Sequence, residues 1–137
     1  MQKDSIFYYK MTKIGFRINN NNDILFKKSR IDNRKFCCIA LSKNKIVAIG
    51  INKFKTNPHY PEYADSKKLC THAEIDMLIK INKKSFQYSI TDVVIVRGCK
   101  TLYNSFPCKL CYAHLKDELN GVGLHYYKNG IWYNEIL

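Results

Sequence analysis

No stretch of this sequence is apolar for long enough to cross a bilayer. The first residues contain no hydrophobic core of signal-peptide type, so neither a membrane span nor secretion is expected. Acidic residues are scarce: 11 Asp and Glu stand against 23 Lys and Arg, a net charge of +12. That imbalance invites a polyanionic partner. Much of it arrives as short lysine pairs, Lys27-Lys28, Lys67-Lys68 and Lys83-Lys84, in a chain crowded with Asn and Ile, as at Asn19 to Asn22. Such usage also follows from an AT-rich coding genome. A solvated lysine surface and a phosphate-binding face therefore both stand as readings. A disulfide framework is not expected. Of the six Cys, two form a C-x-x-C at Cys108 and Cys111, and Cys37-Cys38 are adjacent in an apolar run. Free thiols in a reducing cytoplasm fit better.

What the chain does contain is enough apolar material for one core. Its 137 residues are 46% hydrophobic and 13% aromatic, the profile of a single globular domain spanning 1–137. Residues 1–30 are poorly readable and the core is expected over 36–137.

The chemistry concentrates in two pieces, Thr71-His72-Ala73-Glu74 and Pro107-Cys108-Lys109-Leu110-Cys111. His72, Cys108 and Cys111 make three zinc ligands, and three protein ligands with an open fourth position are the pattern of a catalytic zinc. Zinc lowers the pKa of water from near 16 toward 7. Glu74, two residues past the histidine, is placed to shuttle protons between a metal-activated water and a substrate. Both pieces should open helices, with Thr71 as an N-cap and Pro107 as a first helical residue. The partial positive charge there favours the two thiolates.

Two other readings of these residues remain open. Thr71-x-x-Glu74 is also a capping box, in which Glu74 merely bonds back to the backbone. Cys70 with His72, Cys108 and Cys111 would make a closed Cys₃His structural site. That would suit a non-catalytic zinc module binding nucleic acid.

On these motifs the chain resembles the cytidine and deoxycytidylate deaminase superfamily. The likeness runs from about Phe36 to the C-terminus, through Ile49-Gly50-Ile51-Asn52, Thr71 to Asp76, Asn104 to Cys111, and Gly121 to Tyr127. The resemblance implies one zinc on His72, Cys108 and Cys111, with Glu74 catalytic. It places Asn52 where relatives often contact the sugar or base. It implies cytosine-to-uracil deamination of a free nucleoside or nucleotide, with cytosine in single-stranded DNA or RNA as the alternative. The His-Ala-Glu-Ile-Asp and Asn-Ser-x-Pro-Cys versions look most like small deaminase-like proteins of phages and large viruses. Small relatives commonly assemble, so a homo-oligomer is among the expected states.

Along the chain, Ile6 to Phe16 fits a short helix or strand. Gly15 and the Asn19-Asn22 run should interrupt any longer helix, and Ile24 to Ser29 could belong to a first helix. Strands are expected over 36–41, 46–51, 92–97, 122–127 and 131–136, and helices over 72–84 and 107–119. The all-apolar run at 93–96 reads as a central parallel strand. Asn129-Gly130 marks a C-terminal hairpin. The loop 53–70, with Pro58, His59, Tyr60 and Tyr63, should form one pocket wall. The expected fold is cytidine-deaminase-like: three-layer α/β/α on a five-stranded mixed sheet with a C-terminal antiparallel hairpin.

Overall fold

Two apolar runs split by a short polar turn open the sheet. The computed structural model describes residues 3–22, 34–53, 71–83 and 89–137. In it β1 (Phe36–Ser42) and β2 (Lys45–Ile51) pair antiparallel. Between them Lys43 and Asn44 both take positive φ, 49° and 70°. That is the two-residue turn whose twist matches its strands. The same device joins β4 (Gly123–Lys128) to β5 (Ile131–Ile136), with Asn129 at φ 51° and Gly130 at 83°.

The strand β3 (Asp92–Arg97) lies in the middle of the order β2-β1-β3-β4-β5. It is parallel to β4 but antiparallel to β1, so the expectation of a parallel strand holds on one side only. A wholly apolar strand reports burial on both faces, which says nothing about the direction of its neighbours.

Alternation along the strands sorts side chains into two cores. Cys38, Ala40, Val93, Ile95 and Leu124 pack with α2 (Ala73–Lys83) and α3 (Lys109–Glu118). Cys37, Ile39, Leu41, Val94 and Val96 pack beneath α1 (Ser5–Asn20). The result is the three-layer α/β/α arrangement. The Cys37 and Cys38 thiols are fully buried and free, and burial pushes Cys37 up to about 12, so it rests as an inert neutral group. Among the described residues, no helix is long and apolar enough to cross a membrane.

α1 corrects the reading of the N-terminal segment. It runs unbroken for 16 residues, capped by the Asp4 side chain accepting from Phe7 N at 2.9 Å. Gly15 does not break it. A Cβ there would lie 2.5 Å from Val96 Cβ, so the helix needs glycine to lie against β3. The close contact offsets a propensity cost of about 1 kcal/mol. Nor does the Asn run stop it early. Asn19 is buried, and its Nδ2 donates to Gly98 O at 2.8 Å, with Lys35 O and Val96 O at 3.2 and 3.3 Å. Ile24 to Ser29 lie outside the described residues, as does most of the expected pocket-wall loop.

Candidate metal centre

The site is assembled by two helix starts brought to one end of the sheet. α2 reaches it because Gly50 lacks a side chain: a Cβ there would sit 2.2 Å from Ala73 O and 2.3 Å from Met77 N. Thr71 and Lys53 exchange backbone bonds of 2.8 Å in both directions, which clamps the residue before His72 to the end of β2. Asp76 completes the attachment. Its buried carboxylate accepts from Ile51 N at 3.0 Å, with Lys53 Nζ at 3.0 Å and Lys80 Nζ at 3.1 Å. Asp76 closes the His-Ala-Glu-Ile-Asp motif, but the motif gave it no role. The i,i+4 spacing to Lys80 was the signal that could have given it one.

The helix starts differ from expectation by a residue or two. Asp76 N bonds to His72 O at 3.0 Å, so His72, not Thr71, holds the cap position of α2. Glu74 is then the second helical residue, out of register for a capping box, which needs the third. In α3 the cap is Cys108 and helix begins at Lys109, two residues after Pro107, with Tyr112 N bonding to Cys108 O at 2.8 Å. Proline's fixed φ suits the approach as well as the first turn, so its position alone did not locate the start.

These starts bring His72, Cys108 and Cys111 together. Their ligand atoms lie within 4.8 Å of one another. His72 Nδ1 is 3.5 Å from Cys111 Sγ and 3.7 Å from Cys108 Sγ. A tetrahedral zinc at ordinary bond lengths, about 2.0 Å to nitrogen and 2.3 Å to sulfur, separates such atoms by about 3.5 Å, so the donor set fits the ion. It is the one such group of His, Cys, Asp and Glu among the described residues. His114, three residues past Cys111, is not in it. Cys70, which the closed Cys₃His reading requires, lies outside the described residues.

Glu74 is buried beside this set at 4% exposure. Burial pushes its carboxyl above the ordinary carboxylate range. A bond from its own backbone, the neighbouring His72 and a bond with Cys111 oppose that rise, while Cys108 adds to it. A carboxyl so placed can hold and release a proton nearer neutrality than an exposed one.

Asn52 lies beside the Lys53–Thr71 clamp, and its amide ties down the start of β1. Oδ1 accepts from Phe36 N and from Asn22 Nδ2, each at 3.1 Å, and Nδ2 donates to Arg34 O at 2.8 Å.

A second polar cluster, unforeseen from sequence, sits on the opposite face under α1. His125 is fully buried, with Nε2 2.8 Å from Asp92 Oδ1 and Nδ1 3.0 Å from the Tyr8 hydroxyl. Thr91 donates to Asp92 Oδ2 at 2.8 Å. These residues are 117 and 33 positions apart in the two His125 contacts, so no local spacing could have revealed them.

The family model for the cytidine and deoxycytidylate deaminase zinc-binding region matches residues 24–118. The chain belongs to this family. The match holds both halves of the metal set and Glu74, and stops before Gly121 to Tyr127. Solved structures agree on the fold. Cytidine deaminase from Burkholderia pseudomallei superimposes with a TM-score of 0.64 at 13% identity, covering 94% of this chain and 91% of that one. Cytidine deaminase from Mycobacterium tuberculosis gives 0.56 at 15%, covering 85% and 82%. The dCMP deaminase of cyanophage S-TIM5, in complex with dCMP and dUMP, gives 0.50 at 19%, covering 87% and 79%. At these identities the likeness is one of fold. Comparison with curated proteins finds no match.

Proposed function

We propose that the chain is a zinc-dependent hydrolase that converts cytosine to uracil in a free cytidine-type nucleoside or nucleotide. The observation that carries this is Glu74: a buried carboxyl, out of capping register, beside three converging zinc donors. A closed structural site leaves such a residue only the bonds to its own backbone and to Cys111.

One zinc per chain would be held by His72, Cys108 and Cys111. When bound, it supplies the Lewis acidity that makes water a competent nucleophile near neutral pH. The rest falls to this chain's own groups. Glu74 takes a proton from the attacking water and delivers one to the ring nitrogen as the amine-bearing carbon becomes tetrahedral. It then takes the second proton, from the hydroxyl on the tetrahedral carbon, and passes it to the amine, so that the C–N bond breaks, ammonia leaves and the carbonyl forms. The α3 start stabilises the Cys108 and Cys111 thiolates through its positive end. The Gly50 contact and the Asp76 anchor hold the α2 start, and with it His72 and Glu74, in a fixed position. Asn52 is assigned to the substrate rim. One of its Nδ2 hydrogens goes to Arg34 O, and the second is the group that would meet sugar or base.

The dCMP and dUMP in the cyanophage complex support a nucleoside monophosphate as readily as a nucleoside. This reading suits a cytoplasmic enzyme, as a monomer or a homo-oligomer. The test is a deamination screen by mass change with cytidine, deoxycytidine and their monophosphates. Release of ammonia from at least one, lost in Glu74→Ala with zinc retained, is the expected result. Unchanged turnover in Glu74→Ala would remove this residue from the mechanism.

A further inference from the structure

The β4–β5 hairpin carries a surface that deamination chemistry leaves unused. Register sets Tyr126 opposite Tyr133 and Lys128 opposite Ile131. Leu124, two residues before Tyr126, packs into the core beneath α2 and α3. Alternation therefore turns Tyr126, Lys128 and Tyr133 to that same side of the sheet.

The rings on this side touch in sequence. Tyr112 of α3 stacks on Phe106 with centroids 5.4 Å apart. Phe106 meets Tyr126 edge-on at 4.8 Å, and Tyr126 stacks on Tyr133 at 5.7 Å. A row of four aromatic side chains thus runs from Tyr112 on α3, through Phe106 beside Pro107-Cys108, to the outer strand of the sheet. It is held in place by the Tyr112 hydroxyl, which donates to Glu135 Oε2 at 3.0 Å. Yet Phe106 remains 44% exposed and Tyr133 40%. Cations flank the row: Lys116 Nζ lies 6.0 Å from the Tyr112 ring centroid, and Lys109 and Lys128 are exposed.

We propose that this row is a binding track for a single-stranded polynucleotide. Unpaired bases stack on the open faces of Phe106 and Tyr133, while Lys116 and Lys128 meet the phosphates. A duplex hides its base faces and cannot use the rings. A second copy of the chain would set +12 against +12 across a lysine-flanked face, whereas a polyanion is complementary to it. The track stands independently of the deamination reading.

The probe is a fluorescent oligothymidylate, which has no exocyclic amine and so reports the track without being a deamination substrate. Binding is expected by anisotropy at low salt, weakening steeply as salt rises. Tyr133→Ala should weaken it about fivefold to a hundredfold, and Tyr133→Trp should restore it. Lys128→Gln should lower the slope of log affinity against log salt by about 0.7. Tyr133 and Lys128 lie outside both cores, so the variants should keep the wild-type circular dichroism and ammonia release. The proposal is overturned by no binding at low salt, by Tyr133→Ala binding as wild type, or by a dimer that Tyr133→Ala disperses and that excludes the probe.

Discussion

Replacing Gly50 with alanine tests how α2 is delivered to the metal set. In most strand positions this exchange is mild or helpful, because alanine has less backbone freedom to lose. Here the added Cβ would meet Ala73 O at 2.2 Å and Met77 N at 2.3 Å, both backbone atoms of α2. Ordinary contact begins near 3.4 Å, so the helix must withdraw by about 1.2 Å, the difference between 3.4 and 2.2. No rotamer change can relieve a backbone clash. Overpacking of this kind costs about 1–3 kcal/mol, and a shift of about 1 Å at a reacting centre costs about a hundredfold in rate. His72 and Glu74 ride on the helix that moves. Thermal unfolding of the metal-free protein, zinc content after dialysis and ammonia release would be compared with wild type. Gly15→Ala is the control: its clash is with Val96, in the core on the α1 side of the sheet, so it should lower the melting temperature while leaving zinc content and turnover of the folded protein unchanged. If Gly50→Ala melted no lower than wild type and kept full turnover, the α2 start would not depend on this contact.

Glu74→Gln should keep about one zinc per chain and lose about two to four orders of magnitude in ammonia release, measured by a coupled ammonia assay. Chelation should abolish activity and added zinc restore it; activity persisting after metal analysis shows none bound would defeat the metal assignment. Cys70→Ser should leave zinc content and turnover unchanged, whereas loss of the metal would establish the closed Cys₃His site. Stability should also fall as the medium is acidified. Burial holds His125 below its ordinary value against the opposing pull of Asp92. Burial would raise Asp92, but bonds from His125 and Thr91 and the nearby Lys3 outweigh it and hold its carboxyl low. Both groups have folded values below their unfolded ones, so each contributes stability above the unfolded pKa that is lost as pH falls. The His125 part should fade from about pH 6.5 downward and the Asp92 part from about pH 4 downward. Melting temperature against pH for wild type and His125→Asn would check this, and a variant with the same slope between pH 7 and 5 as wild type would contradict it.

How much of this could be seen in the chain depended on whether the signal was local. The C-terminal hairpin was legible because Asn129-Gly130 is a turn pair flanked by strand patterns. The convergence of the metal donors was legible because zinc chemistry constrains residue type and spacing together. α1 was misread because Gly15 and Asn19 are unfavourable in an isolated helix. Their reasons, contact with Val96 and bonds to the backbone at Lys35, Val96 and Gly98, come from residues distant in sequence. The same holds for Asp76 and for the Tyr8–His125–Asp92 cluster, whose partners meet only once the sheet exists. Helix starts were displaced by a residue or two because Thr and Pro are compatible with several positions around a cap. The direction of β3 relative to β1 left no local mark.

The donors that converge at the α2 and α3 starts are 36 and 39 positions apart, on either side of the central strand. An ion seated there is a removable rivet between two distant parts of the polypeptide. Because the intact trio exists only in the folded chain, occupancy shifts the folding equilibrium by mass action. Zinc supply during synthesis would then govern how much of this polypeptide escapes proteolysis, before any question of turnover arises.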